Sequence, residues 1–495
     1  MNIDNWCVVD EAISVAISDE TFRQYAGLSH SEKVLKRLSL MAMQNAEIFV
    51  EFFSEPRLLY LSAIETIADA KTKNLELRLH RLRREKILST NGKYRIKNAR
   101  VNWNTWRQFN STEDDIKARK SVFDEFIAKT HFIAPTIEKR FNIIRNLFSW
   151  FSKKDNPLVK NSNRSNLDPL SSYLESEQVT YSQLKRLVTK MGEGARRPFA
   201  HSLSLASQII GRTPEYYDDF YYFRNRIFRD VEKPFAKVDP VMAVKRTLKL
   251  MGFDLSAISF DVEDRPTKYP SPICFFVKIP NDIRVLYKSE SPYFDLQGCY
   301  HETGHAVHAA TIDTNLSYAN KYKFPMGIAE IFSIFLERLT MNPLYLNSAL
   351  GIRNEKLLDK LVERNKFMEL FFVTFYSANS LMKMEYWRKD LSIDQASQLY
   401  ERLIKKYTGF KIPGQYWMLH HILPEAIMYV PSYLMAASRA AELETYLKDR
   451  FGERWWNEEG AAKLLKEVMS QGGKIDLSIF SSMDPNIFMK EIIDL

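Results

Sequence analysis

Apolar residues recur at helical spacing over long stretches of this chain, residues 31–53, 56–88, 112–151, 172–192 and 354–390. Patterns of that length set one face of a helix against other helices, so they commit the chain to a mainly α fold built from many helices. In the last stretch Phe367, Leu370, Phe371 and Phe375 form an aromatic stripe, which is expected to pack a core and not to line a cofactor site. Only 16 glycines in 495 residues, beside 45% hydrophobic and 26% charged residues, fit the same helix-rich class. A polar stretch from Ser152 through Pro157 to Asn166 interrupts the pattern. It is expected to divide an N-terminal helical lobe, residues 1–160, from a second region, 161–495; a surface loop within one fold is the other reading.

The clearest strand signal lies further on. Residues 272–279 and 283–287 are rich in β-branched and aromatic side chains around Pro280-Asn281-Asp282, which predicts a hairpin. Such a hairpin either offers a sheet edge to an extended peptide or is plain scaffold. Ser291, Pro292 and Asp295 then supply the chemistry of a helix start, with Asp295 either capping the helix or acting at longer range.

The helix so opened carries Tyr300-His301-Glu302-Thr303-Gly304-His305-Ala306-Val307-His308. Histidines four apart lie on one helical face, so His301 and His305 can reach one zinc ion, and Glu302 then borders the water that such an ion activates. This donor set suits hydrolysis. A catalytic zinc takes three protein ligands, so a third is required. Asp313 would lie about 12 Å from His305 along a continuing helix, too far to share the ion. Glu330 is the better candidate, because it stands among Ile328, Ala329, Ile331 and Phe332, where an unpaired carboxylate is costly and a metal-bound one is not. Glu337 is expected either to hydrogen-bond a ligand histidine or to be an ordinary exposed glutamate. His308, a turn beyond the pair, reads as packing or as support, not as a ligand.

His301-Glu302-x-Gly304-His305-x-x-His308, followed by Glu330, Ser333 and Glu337, resembles the thimet oligopeptidase and oligoendopeptidase F family of zinc metallopeptidases. The resemblance is strongest over residues 270–345, recurs over 416–437, and rests on helical character alone in the first 250 residues. It implies a two-lobed, mainly helical metallopeptidase with a deep central channel and a small hairpin or sheet beside the zinc helix. It also implies one zinc per chain on His301, His305 and Glu330, Glu302 as general base and acid, and short peptides as substrates cut at internal bonds. In a second segment, Tyr416 to Tyr433, the family carries a histidine and tyrosines that donate to the oxyanion; the corresponding residues are His421, Tyr429 and Tyr433, with His420 as second choice for the histidine. Ile334 stands where the family usually has glutamine, and Pro431 where one branch has tyrosine. The same zinc chemistry would serve a carboxypeptidase or dipeptidase, but no group that would seize a chain terminus is identifiable.

Three cysteines, Cys7, Cys274 and Cys299, are too few for a disulfide framework, and Cys299 is expected to be a packed thiol. The residues from Met1 to Trp6 do not resemble a secretory signal, and no apolar segment is long enough to span a membrane, so the cytoplasm is the expected location. A formal net charge of +9 and the run Arg78 to Lys86 raise a different class, a non-catalytic basic helical protein that binds nucleic acid. A run of this kind is more commonly the solvated face of an amphipathic helix, and no nucleic-acid partner is expected.

Overall fold

The computed structural model describes residues 56–89, 94–96, 99–152, 168–218, 229–263, 272–287, 289, 291–316, 318–322, 325–420, 426–477, 480 and 484–494. The stretch 31–53, most of the polar stretch after Ser152, and His421 lie outside them.

The main elements are, in chain order, helices α1 (Pro56–Lys86), α2 (Ala134–Phe151), α3 (Pro169–Ser176), α4 (Tyr181–Ile210) and α5 (Pro240–Leu250), and strands β1 (Ile258–Asp261), β2 (Ile273–Lys278) and β3 (Asp282–Leu286). They continue with α6 (Pro292–Thr311), α7 (Met326–Arg338), α8 (Glu355–Lys389), α9 (Ile393–Thr408), α10 (Val430–Phe451) and α11 (Glu459–Ser470). The fold is mainly α, as the periodicity predicts. Helix α8 runs almost as expected, because Asn354 caps its start through the Leu357 amide and Asp390 ends it in the left-handed region. Two expected helices are instead divided. The pattern over 112–151 is split by a 3-10 turn, Lys129–Phe132, after which α2 opens with Pro135 in its first turn, the one place in a helix that tolerates proline. The pattern over 172–192 is split at Thr180, which forms a reciprocal capping box with Gln183 and so starts α4 afresh.

The predicted hairpin is present: β2 and β3 pair antiparallel, with Cys274 opposite Val285 and Phe276 opposite Ile283. A third strand, β1, pairs parallel to β3, so the sheet order is β1-β3-β2. β2 is therefore an edge among the described residues.

Buried apolar residues gather in two clusters. The first joins Ile64, Trp106, Phe123, Phe141 and Phe199 to Phe367, Leu370, Phe371, Phe375, Tyr400, Trp417 and Phe488. The aromatic stripe of α8 is thus core. The second joins Val244, Ile283, Val285, Leu296, Val307, Phe332, Leu336, Trp455 and Leu465. Helix α10 serves both, since Leu434, Met435, Ala437 and Ala441 pack into the first and Ala436, Ala440, Leu443 and Leu447 into the second. A helix with two apolar faces must lie between two cores, and this one begins beside the candidate site. Among the described residues, no helix is long and apolar enough to cross a membrane.

Candidate metal centre and active site

Helix α6 is prepared for burial at its start. Asp295 accepts hydrogen bonds from the Ser289 hydroxyl and from the Ser291 amide at 3.4 Å, so it secures the first turn. Nearly every face of the helix is then covered, including Tyr300, Glu302, Thr303, Gly304, His305 and His308.

What covers it is mainly α7, and Gly304 is the reason the two helices come so close. A Cβ at this position would lie 2.4 Å from the Phe332 carbonyl oxygen and 2.6 Å from the Ser333 Cα, distances no side chain tolerates. Absence of a side chain lets the backbones meet. His305 then lies beside the contact, and Glu330 lies one turn back from it on α7. His301 Nε2 is 3.2 Å and His305 Nε2 3.4 Å from Glu330 Oε2. Donor atoms of the three residues all lie within 4.8 Å of one another, a spacing that fits a single ion. Two imidazoles and a carboxylate are the donor types zinc favours at a catalytic centre, so the residues present fit the metal.

The surroundings orient the donors. Glu337 Oε2 lies 2.9 Å from His301 Nδ1, the first of the two roles expected for Glu337. Ser333 donates to Glu330 Oε2 at 2.8 Å. Burial alone would raise the Glu330 carboxyl, but the imidazoles of His305 and His301 outweigh it and hold the group well below the usual carboxylate range. Burial would likewise lower His301, yet Glu330 and Glu337 raise it well above the ordinary histidine value. Glu302, 8% exposed, is raised by burial, with the two histidines opposing. A raised carboxyl suits a group that must both take and return a proton.

Tyr429 and Tyr433 arrive from the first turn of α10. The Tyr429 hydroxyl donates to Glu330 Oε1 at 3.4 Å and sits 3.0 Å from the Tyr433 hydroxyl. Burial and the Glu330 charge push both phenols well above their ordinary value, so both keep their protons as donors. His420 stacks on Phe375 with ring centroids 4.5 Å apart. His308 packs on Phe332 at 4.5 Å, and burial pushes it down to about 3, which agrees with a packing role. Cys299 is fully buried and raised to about 12, a packed thiol as expected. On the hairpin side, the Phe276 ring of β2 meets the His305 ring edge to face at 6.5 Å, which sets the sheet edge beside the donors.

Sequence reasoning did not anticipate three contributors. Gly304 was visible only as part of the motif, Ser333 only as part of the resemblance, and Glu177, whose carboxyl reaches the start of α7, carried no signal.

Comparison with known proteins relates this mainly helical chain to peptidases. Residues 258–476, somewhat under half of the chain, match the model of peptidase family M3. Among solved structures the chain is similar to "PZ peptidase A with inhibitor 2", with TM-score 0.61 and 11% identity over 96% of this chain and 86% of that one. It is also similar to a "putative oligoendopeptidase F" from Bacillus anthracis str. Ames, with TM-score 0.57 and 13% identity over 99% of this chain and 87% of that one. At such identities the likeness is one of fold. No curated protein matches the sequence.

Proposed function

We propose that the chain is a zinc-dependent endopeptidase acting on short peptides in the cytoplasm. The observation that carries this reading is the convergence of His301, His305 and Glu330 around one point, with the buried Glu302 on the turn between the two histidines. Zinc held by those three residues would supply a Lewis acid to the scissile carbonyl and to the attacking water. Glu302 accepts the proton of that water and passes it to the leaving nitrogen. Tyr429 and Tyr433, both protonated, donate hydrogen bonds to the oxyanion, and His421 is assigned to the same task from the sequence.

Endopeptidase action is supported by the β2 edge. A peptide added to that strand would run past Phe276 and hence past His305, with both of its ends extending beyond the site. The likeness to a protein named for oligoendopeptidase activity points the same way. The nucleic-acid reading is weakened within its own motif. Arg83, at the heart of the basic run, is 1% exposed, lies 5.1 Å from the Trp103 ring centroid and donates to the Met418 carbonyl, so it is withdrawn from the surface, whereas Arg78, Arg81, Arg84 and Lys86 are exposed.

The test is cleavage of internally quenched peptides blocked at both termini, with and without a zinc chelator, beside Glu302→Gln. Cleavage that chelation abolishes and zinc restores, and that Glu302→Gln reduces by about 10²-fold or more, supports the proposal. Activity only on peptides with a free terminus would replace it with an exopeptidase, and activity indifferent to chelation would refute the metal.

A further inference from the structure

Glu177 follows α3, far from the catalytic motif in sequence, yet it is 1% exposed and its contacts fall on both helices that carry the site. Its Oε1 accepts the Gly327 amide at 2.8 Å, in the first turn of α7, and the Ser432 hydroxyl at 3.1 Å, in the first turn of α10. Ser432 is in turn 2.9 Å from the Tyr173 hydroxyl, and Arg439 of α10 donates to the Gly327 carbonyl at 3.3 Å. Gly327 admits the carboxyl: a Cβ there would lie 2.3 Å from Glu177 Oε2. That second oxygen is buried with no hydrogen-bond partner, an expensive arrangement for a group serving only as packing.

The spacing of these contacts gives the node its meaning. Gly327 is three residues, about one turn, from Glu330. Ser432 lies between Tyr429 and Tyr433. We propose that Glu177 is a positioning residue, which ties the start of α7 to the start of α10 and thereby holds the two tyrosine hydroxyls against the Glu330 side of the site. It touches neither substrate nor reacting atoms. The inference rests on the peptidase reading of that site.

Its signature is a loss in turnover that a neutral isostere rescues. The glutamine oxygen can accept both the Gly327 amide and the Ser432 hydroxyl, whereas alanine accepts neither. In the full chain loaded with zinc, Glu177→Ala should lower kcat by about tenfold or more, with KM within about threefold, because misplaced donors weaken the transition state more than substrate binding. Glu177→Gln should stay within about threefold of the parent in both constants. Ser432→Ala, which cuts only the arm to the tyrosine helix, should also lower kcat with zinc content unchanged. Hydrogen exchange gives a readout apart from activity: amides 327–329 should exchange faster in Glu177→Ala and at the parent rate in Glu177→Gln.

A folded, zinc-loaded Glu177→Ala with parental kcat overturns the proposal, as does a Glu177→Gln as impaired as the alanine variant. Should Glu177→Ala fail to fold, a parental kcat in Ser432→Ala overturns it. An inactive parent protein would instead remove the peptidase reading, so the two failures are distinguishable.

Discussion

Substituting Gly304 by alanine tests the contact on which the metal centre depends. The new Cβ would meet the Phe332 oxygen at 2.4 Å and the Ser333 Cα at 2.6 Å. Both are backbone atoms of α7, so no side chain can swing aside. Restoring an ordinary contact of 3.4 Å requires the helices to part by about 1 Å at this point. His305 is the next residue on one side, and Glu330 is one turn away on the other. Their donor atoms, now 3.4 Å apart, would separate by a similar amount. Zinc–ligand bonds of about 2.0–2.2 Å cannot absorb such a change, so one ligand should be lost. Overpacking of this kind costs about 3 kcal/mol when backbone must yield, which for a chain of this size lowers Tm by about 3 °C. Zinc affinity, measured by competition with a chromophoric chelator, should fall by about 100-fold or more, beyond the effect of losing a supporting hydrogen bond. A Gly304→Ala protein with parental zinc affinity, cleavage and Tm would refute the close approach of the helices as the origin of the site.

Glu337→Gln, which weakens the partner of His301 Nδ1, should reduce zinc affinity by about 10–100-fold with Tm little changed; unaltered affinity in the chelator competition would leave Glu337 without a role. Tyr429→Phe and Tyr433→Phe should each lower kcat, by up to about 10²–10³-fold for the one nearer the oxyanion, with zinc content preserved. A change confined to KM in steady-state assays would count against them as oxyanion donors. Glu369 on α8 is pushed up to about 7, from an ordinary 4.5, by burial and by Glu337 and Glu491, with Arg338 opposing. Because its folded-state value is raised, the cost of keeping it begins as the unfolded chain ionises near 4.5 and levels off above about 7. Glu369→Gln should therefore match the parent in denaturant unfolding at pH 4 and exceed it by roughly 1–2 kcal/mol at pH 8, after allowance for its partial exposure. Equal stability at both pH values would refute the shift.

What was legible in the sequence is what short-range geometry encodes. His301 and His305 share a face because four residues make about one turn, and Glu330 stood out as an acid in an apolar run. The extent of α8 was legible from the apolar pattern over 354–390, and the structure shows Asn354 and Asp390 at its two ends. The strand β1 was missed because four residues, Ile258–Asp261, carry too little pattern, and its parallel partner lies beyond a crossover. The single pattern over 112–151 hid a break because apolar spacing persists across the turn before Pro135. Gly304 was visible as a letter, but its function is defined by Phe332 and Ser333, which only tertiary packing brings near. Glu177 was the least legible, since nothing in Tyr173-Leu174-Glu175-Ser176-Glu177 distinguishes the buried glutamate from its neighbour.

The first apolar cluster also sets a clock on synthesis. Trp103 donates to the Leu419 carbonyl and Arg83 to the Met418 carbonyl, across separations of 316 and 335 residues. At about 5–20 residues per second, roughly 15–70 s pass between the emergence of these side chains and that of their partners. Through that interval Trp106, Phe123 and Phe141 wait without Tyr416, Tyr386 and Trp387, the aromatic rings they meet in the finished protein. The growing chain therefore presents a sticky surface for most of its translation, and its yield in a cell depends on what shields that surface until the C-terminal helices arrive.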